Sequence, residues 1–179
     1  MAEKMMLIDL DQCVRCYACQ AACLEEKGDP QTGMQRRQIT TLGPRKVQEE
    51  LQLDFVPSAC LHCDDAPCRL FCPTDAIVRR PDGVVLFENE RCNGCQLCVF
   101  GCPYGVIWFD EERDLAVKCD LCVQRLDYGL EPRCVQHCLG GALLWVAEDD
   151  LERLTRGRHR SRVGKTCYVS AKWALSLPL

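Results

Sequence analysis

The chain has 179 residues, a formal net charge of −4 at pH 7, and 17 cysteines. This length allows one or two small domains, and the acidic balance disfavours nucleic acid as a partner. The longest uncharged apolar runs, 104–109 and 142–147, are too short to span a bilayer. The hydrophobic fraction of 47% includes the cysteines, so ordinary core residues are scarce.

A repeated unit of strand, cysteine loop, helix and strand organises the predicted elements. A strand is predicted before each of four cysteine loops, at residues 5–9, 54–58, 84–88 and 115–118. A return strand follows three of the loops, at residues 76–80, 105–109 and 142–146. The sequence therefore predicts an α+β fold of short strands and helices around the loops.

Residues 28–53 interrupt this repeat after the first cysteine loop. Strand-like segments on both sides of Gly43-Pro44 predict an inserted hairpin. Such a hairpin would offer an exposed surface to a partner protein. The alternative is a solvent-exposed segment with no binding role.

Residues 149–179 differ in character from the rest of the chain. One or two helical turns are predicted at 149–154, and a basic run follows at 156–162. A run of this kind predicts a basic, solvated C-terminal tail. Docking to an acidic partner surface is the alternative.

The cysteines carry the strongest functional signal. Sixteen of the seventeen fall into four groups of four, and each group begins with C-x-x-C. The first and third groups have the C-x2-C-x2-C-x3-C spacing of bacterial ferredoxins, whose thiolates bind [4Fe–4S] clusters. Sixteen thiolates predict four such clusters and electron transfer, and bound clusters would also compensate for the scarce core residues. The groups are Cys13, Cys16, Cys19, Cys23; Cys60, Cys63, Cys68, Cys72; Cys92, Cys95, Cys98, Cys102; and Cys119, Cys122, Cys134, Cys138.

Disulfide bonds and zinc are the other chemistries that so many cysteines allow. Three cysteines within seven residues bridge one another poorly, and no secretory signal precedes the first group. Zinc uses cysteines in pairs, so a third cysteine one helical turn later would have no ligand role. Iron–sulfur clusters are therefore favoured, and zinc is the main alternative. Cys167 stands outside the groups and is expected to be a buried structural thiol, with a reactive thiol as the alternative.

The fourth cysteine of a ferredoxin group binds the cluster of a neighbouring group. Groups two and three are adjacent and predict a ferredoxin-like module at 54–112. Groups one and four then form the other module, from 1–27 plus 113–148. The predicted quartets are Cys13, Cys16, Cys19 and Cys138; Cys23, Cys119, Cys122 and Cys134; Cys60, Cys63, Cys68 and Cys102; and Cys72, Cys92, Cys95 and Cys98.

A resemblance to a known family is carried by the segments CLHCDDAPCRLFCPTDAI, RCNGCQLCVFGCPYGVI and KCDLCVQRLDYGLEPRCVQHCLGGAL. They resemble the cysteine groups of the four-cluster electron-transfer subunits of the dimethyl sulfoxide reductase family, formate dehydrogenases and polysulfide reductases. The resemblance implies a double bacterial-ferredoxin-like fold that relays single electrons to or from a catalytic molybdenum or tungsten subunit. In its shortness the chain is also similar to the small subunits of tungsten enzymes of the aldehyde oxidoreductase or benzoyl-CoA reductase type.

We therefore expect an electron-transfer subunit, without a substrate site, that connects a catalytic subunit with a second redox protein or flavin subunit. A stand-alone polyferredoxin and a zinc-binding interaction module are the alternatives. Thiolate-rich clusters without an export signal indicate the cytoplasm, unless a partner with a twin-arginine signal carries the chain across. His62 lies between two predicted ligands, where it either donates a hydrogen bond toward a cluster or fills space.

Overall fold

The computed structural model describes residues 3–28, 35–47 and 49–172. Parts of the predicted first module (1–2), insertion (29–34 and 48) and tail (173–179) lie outside the described residues. None of the described helices is long and apolar enough to cross a membrane. The helices are α1 (Ala18–Lys27), α2 (Pro67–Leu70), α3 (Leu97–Phe100), α4 (Val123–Asp127), α5 (Arg133–Gln136) and α6 (Leu151–Leu154). The strands are β1 (Lys4–Asp9), β2 (Arg37–Val47), β3 (Glu50–Ala59), β4 (Ile77–Arg79), β5 (Val85–Phe87), β6 (Ile107–Asp110), β7 (Leu115–Lys118), β8 (Leu143–Ala147), β9 (His159–Val163) and β10 (Thr166–Ser170).

The main sheet has four strands in the order β8–β1–β10–β9. β1 pairs antiparallel with β8 and parallel with β10, and β9 is the antiparallel neighbour of β10. The side chains from Met5 to Ile8 are all buried. A strand that is covered on both faces has a continuous run of hydrophobic residues. The MMLI segment of β1 is such a run. β1 therefore lies at the centre of the fold.

The C-terminal segment differs from the predicted solvated tail. Residues 159–170 form a hairpin of β9 and β10, and β10 lies inside the main sheet beside β1. All five residues of β10 are buried, whereas Arg160 and Arg162 of the basic run lie in β9 at the sheet edge, where charged side chains stay in water. Arg156 and Arg158 precede β9. The basic composition of β9 thus reflects an edge strand, and the prediction of a tail is wrong for residues 159–170.

Three two-stranded hairpins accompany the main sheet. β2 and β3 form a long antiparallel pair whose register shifts between Leu42 and Arg45, so Gly43-Pro44 lies at an irregularity within the strand and does not end it. β4 pairs with β5, and β6 pairs with β7. The strands predicted around the cysteine loops are all present, with ends that differ by at most about four residues, the boundary error expected of such predictions.

The main sheet is packed on both faces, and the cysteine loops form part of the core. One face packs against the loops through Met6, Ile8, Leu61, Leu121 and Tyr168. The other face is covered by α6, in a cluster of Met5, Leu7, Leu151, Cys167 and Val169. Cys167 is fully buried there. A third cluster lies around the second and third cysteine groups and contains Ala66, Cys68, Ile77, Val85, Ile107 and Ala116.

Candidate iron–sulfur cluster sites

All four cysteine loops share one backbone feature. The residue just before the second cysteine has a positive φ in each loop: Arg15 (54°), His62 (52°), Gly94 (70°) and Leu121 (54°). This left-handed conformation costs a non-glycine residue about 1–2 kcal/mol, and such strain persists where a site requires it. The repeat in the sequence is therefore also a repeat of local geometry.

A helix carries the chain from the third toward the fourth cysteine of each group. Cys23 still lies within α1, whereas Cys72, Cys102 and Cys138 lie two residues beyond the end of their helices. The third cysteine is the second residue of a helix in every group: Cys19 in α1, Cys68 in α2, Cys98 in α3 and Cys134 in α5. The fourth cysteine follows four residues later. One turn of α-helix advances about 5.4 Å along its axis. The fourth sulfur is therefore carried away from the third, toward a different site, as the ferredoxin spacing predicts.

The cysteines of the first and fourth groups meet in two cavities. Site 1 is lined by Cys13, Cys16, Cys19 and Cys138. Site 2 is lined by Cys23, Cys119, Cys122 and Cys134. In each site, three cysteines come from one group and one comes from the other, which is possible because α1 packs against α5.

The cysteines of the second and third groups cross in the same way. Site 3 is a cavity lined by Cys60, Cys63, Cys68 and Cys102. Site 4 joins Cys72 to Cys92, Cys95 and Cys98, since the charges of the other three act on the Cys98 thiol. Here α2 packs against α3. The structure thus brings together the cysteines of all four predicted quartets, and their ligation of iron stays a prediction.

Burial and mutual repulsion oppose ionisation of these thiols. Burial, followed by the charges of neighbouring cysteines, raises the pKa of Cys63 and Cys98 to about 11 and the pKa of Cys68 to about 12. A quartet of buried thiolates is stable only beside positive charge, which the iron of a cluster supplies. Soft thiolate donors also select iron–sulfur clusters, zinc or copper(I) over harder ions. The donor set therefore fits a [4Fe–4S] cluster.

Backbone amides support two of the cysteines that cross between groups. The amides of Ala76 and Leu143 donate to Sγ of Cys72 and Cys138, each at 3.3 Å. Burial would raise the pKa of Cys72, but hydrogen bonds from Thr74 and from nearby amides lower it below its ordinary value. Such bonds stabilise a charged sulfur. The chain leading into the return strand β4 therefore favours the thiolate form of Cys72.

The four sites differ in their depth below the surface. Cys16 of site 1 and Cys95 of site 4 are exposed, whereas all the cysteines that line site 2 are buried. Exposed apolar side chains lie near both of these sites, since Val14 lines site 1 and Phe100 follows Cys98 on α3. Leu70, which follows Cys68 of site 3 on α2, is exposed as well. Sites 1 and 4 are therefore the ones that an external redox partner can approach most closely.

Two buried cations near the cysteines were not predicted from the sequence. Arg37, at the start of β2, lines site 2. Lys118 is 4% exposed, and its Nζ donates to the backbone oxygens of Val85 and, at 3.1 Å, Cys119. Its Nζ also lies 5.3 Å from the centre of the Phe87 ring. Basic residues in a strand-like sequence are ordinarily at the surface, so only the position of Lys118 directly before a cysteine hinted at its placement.

His62 is fully buried and lines site 3. Its Nδ1 accepts a hydrogen bond from the Val85 amide at 2.9 Å. Burial, followed by the charge of Lys118, lowers the pKa of the ring well below its ordinary value, so the ring is neutral. A neutral ring that accepts at Nδ1 carries its hydrogen on Nε2, which has no partner among the described residues. The ring thus presents one buried donor, and its donation toward a cluster stays a prediction.

Residues 51–148 match the protein family described as the 4Fe-4S dicluster domain. The chain belongs to this family. The matched segment contains the second, third and fourth cysteine groups, and it confirms the prediction that [4Fe–4S] clusters are the cofactors. Seventeen cysteines are compatible with four of them.

Three named relatives are redox subunits. The tetrathionate reductase subunit of Salmonella typhimurium is 38% identical over 162 residues, covering 88% of this chain and 63% of the relative. The formate dehydrogenase iron-sulfur subunit of Wolinella succinogenes is 32% identical over 188 residues, covering 93% and 92%. The thiosulfate reductase electron transfer subunit of Salmonella typhi is 36% identical over 152 residues, covering 84% and 79%. The predicted resemblance to such subunits is confirmed, although the chain spans less than two thirds of the tetrathionate reductase subunit.

Proposed function

We propose that this chain is the electron-transfer subunit of an oxidoreductase complex. It connects a catalytic molybdenum or tungsten subunit with a second redox protein or flavin subunit, and it has no substrate site of its own. The observation that carries the proposal is the gathering of sixteen cysteines into four quartets. The names of the relatives support it, because they are subunits of two reductases and a dehydrogenase.

Each quartet is proposed to hold one [4Fe–4S] cluster. A bound cluster of this type supplies one-electron oxidation and reduction. The residues of this chain hold it, exclude water and set the local charge. Leu61, Val85 and Ile107 line site 3 beside its cysteines, and a dry, apolar wall of this kind protects a cluster and influences its potential. The proposed ligands are the four quartets of sites 1, 2, 3 and 4.

The proposed architecture is a double bacterial-ferredoxin fold. The first module, 1–27 plus 113–148, is supported by the pairing of β1 with β8 and by the packing of α1 on α5. The second, 54–112, is supported by the β4–β5 hairpin and by the packing of α2 on α3. β6 pairs with β7 across the proposed boundary, so the two modules share a hairpin. Residues 28–53 and 149–179 are proposed as additions to the modules, and 159–170 extend the sheet of the first.

Partner docking is proposed at the two shallow sites. Cys16 and Cys95 are exposed, and electron transfer requires a partner centre to approach a cluster closely. Val14 beside site 1 and Phe100 beside site 4 are 64% and 81% exposed. Apolar side chains that remain in water next to a functional site favour a protein interface there.

A stand-alone polyferredoxin is the competing proposal, and the subunit names of the relatives favour the complex over it. The location proposed is the cytoplasm. Cytoplasmic conditions keep thiols reduced and available to bind clusters. A partner that carries a twin-arginine signal would instead take the assembled complex across the membrane.

Anaerobic purification from the native host, by a tag on this chain, tests the proposal. Elemental analysis is expected to give about sixteen irons per copy of this chain, after subtraction of the partner's own clusters, together with molybdenum or tungsten. A variant with Cys167→Ala is the matched control, because this cysteine lies outside all four quartets and its loss should leave the iron content unchanged. Iron and sulfide without a partner metal would indicate the free carrier. Zinc in place of iron would overturn the proposal.

A further inference from the structure

Arg37 is a buried cation that lacks the usual partners of a guanidinium. It is 3% exposed, and its Nε and Nη1 atoms have no hydrogen-bond partner within the described part of the chain. A buried charge is costly unless it is paired. The preceding residue, Arg36, shows the ordinary arrangement, because its Nη1 lies 3.8 Å from the Asp120 carboxylate near the surface. The position of Arg37 therefore implies a negative group that it faces inside the protein.

The negative groups around Arg37 are cysteine sulfurs. Arg37 lines site 2 together with Cys23 and Cys119. Burial alone would lower the pKa of its guanidinium, but the charges of nearby thiolates, including those of Cys134 and Cys19, raise it above its ordinary value. Cys19 belongs to site 1 and lies on α1, which packs against β2, the strand that begins with Arg37. The guanidinium therefore lies near two quartets. The group stays protonated and therefore acts as a fixed positive charge.

We propose that Arg37 is a potential-setting residue shared by sites 1 and 2, where its buried charge stabilises the reduced form of both clusters. This inference rests on the proposed function. Reduction adds one electron, taken from the reductant, and so increases the negative charge of a site by one. A fixed positive charge in a low-dielectric interior favours that increase far more than a surface charge does.

Site 4 provides the internal contrast. The charges that act on Cys98 are those of other cysteines, and hydrogen bonds act on Cys72. Site 3 has its own buried cation, since Lys118 acts on Cys68. The Arg37 charge also reaches His62 at site 3. Its removal should therefore shift the clusters of sites 1 and 2 most, that of site 3 less and that of site 4 least.

The test is a reductive titration of the anaerobic complex, followed by electron paramagnetic resonance, for wild type and for Arg37→Gln. We expect the reduction equilibrium constant of two clusters to fall about tenfold, which corresponds to a shift of about −59 mV in each one-electron potential. Arg45→Gln is the matched control, because Arg45 lies on the same strand and pairs with Asp54 at the surface. This control removes the same charge and should shift no cluster.

Each outcome decides the matter. Unchanged potentials in an Arg37→Gln protein with full iron content would overturn the inference, as would an equal shift of all four clusters. Should Arg37→Gln lose iron, Arg37→Lys decides: restored iron and near-native potentials support the charge, whereas the same loss would show that only the shape of arginine matters. Fewer than four clusters in the wild type would instead refute the proposed function, independently of any shift.

Discussion

The crossed pairing of the cysteines can be tested by counting iron in paired substitutions. Cys72 lies in the second group of the sequence, yet the structure places it with Cys92, Cys95 and Cys98. Cys72→Ala should therefore remove the cluster of site 4, about four of the sixteen irons. Cys95→Ala should cost the same four irons, and Cys60→Ala should cost four different ones from site 3.

Double substitutions then separate the two pairings, because residues that serve one site are not additive. Cys72→Ala combined with Cys95→Ala should still lose only about four irons, whereas Cys72→Ala combined with Cys60→Ala should lose about eight. Iron and acid-labile sulfide per chain are measured on protein purified anaerobically, with Cys167→Ala as the control. The opposite result would be a loss of about eight irons when Cys72→Ala is combined with Cys95→Ala, and of about four when it is combined with Cys60→Ala. It would mean that each group binds its own cluster and would refute the crossed pairing.

Two further predictions concern the C-terminal segment and the partner surface. Arg158→Gln removes a two-point contact with Asp9, whose Oδ2 accepts a hydrogen bond from Nη1 at 2.8 Å. We expect the free energy of unfolding of the holo-protein, measured by chemical denaturation, to fall by about 2 kcal/mol. Arg153→Gln, at an exposed ion pair, should cost less than about 0.5 kcal/mol, and equal losses would show that the first contact is not structural. Phe100→Glu should retain full iron yet reduce co-purification of a partner, because it charges the exposed apolar surface at site 4. Tyr128→Glu is its control, because Tyr128 is similarly exposed but lies at the end of α4, next to the cysteines of the buried site 2 in the sequence. An equal reduction in both variants would argue against docking at site 4.

The sequence predicted the features that local spacing determines. The strands on either side of each cysteine loop follow from alternation and turn residues, and the quartets follow from the ferredoxin rule once groups one and four are left to pair. The role of β10 could not be predicted in this way. TCYVS is short, and its burial depends on a parallel pairing with β1, more than 150 residues away in the chain. Such a pairing leaves no local periodicity that a single sequence would reveal.

Arg37 shows the same limit for the candidate sites. A pair of arginines at the start of a strand-like segment predicts two solvated side chains, and Arg36 behaves in this way. Arg37 is turned inward because β2 begins against the first module, where α1 contacts it. Only tertiary structure brings its charge beside Cys119, a residue from another part of the chain.

The β2–β3 hairpin also contacts the cluster sites, a role that was not predicted from the sequence. At its base Arg37 is paired with Ala59, and Ala59 directly precedes Cys60, the first cysteine of site 3. The Tyr168 hydroxyl of β10 donates to the backbone oxygen of Pro57 at 3.3 Å, so the base of the hairpin is also tied to the main sheet. One end of the hairpin thus supplies charge to sites 1 and 2 and positions the loop of site 3.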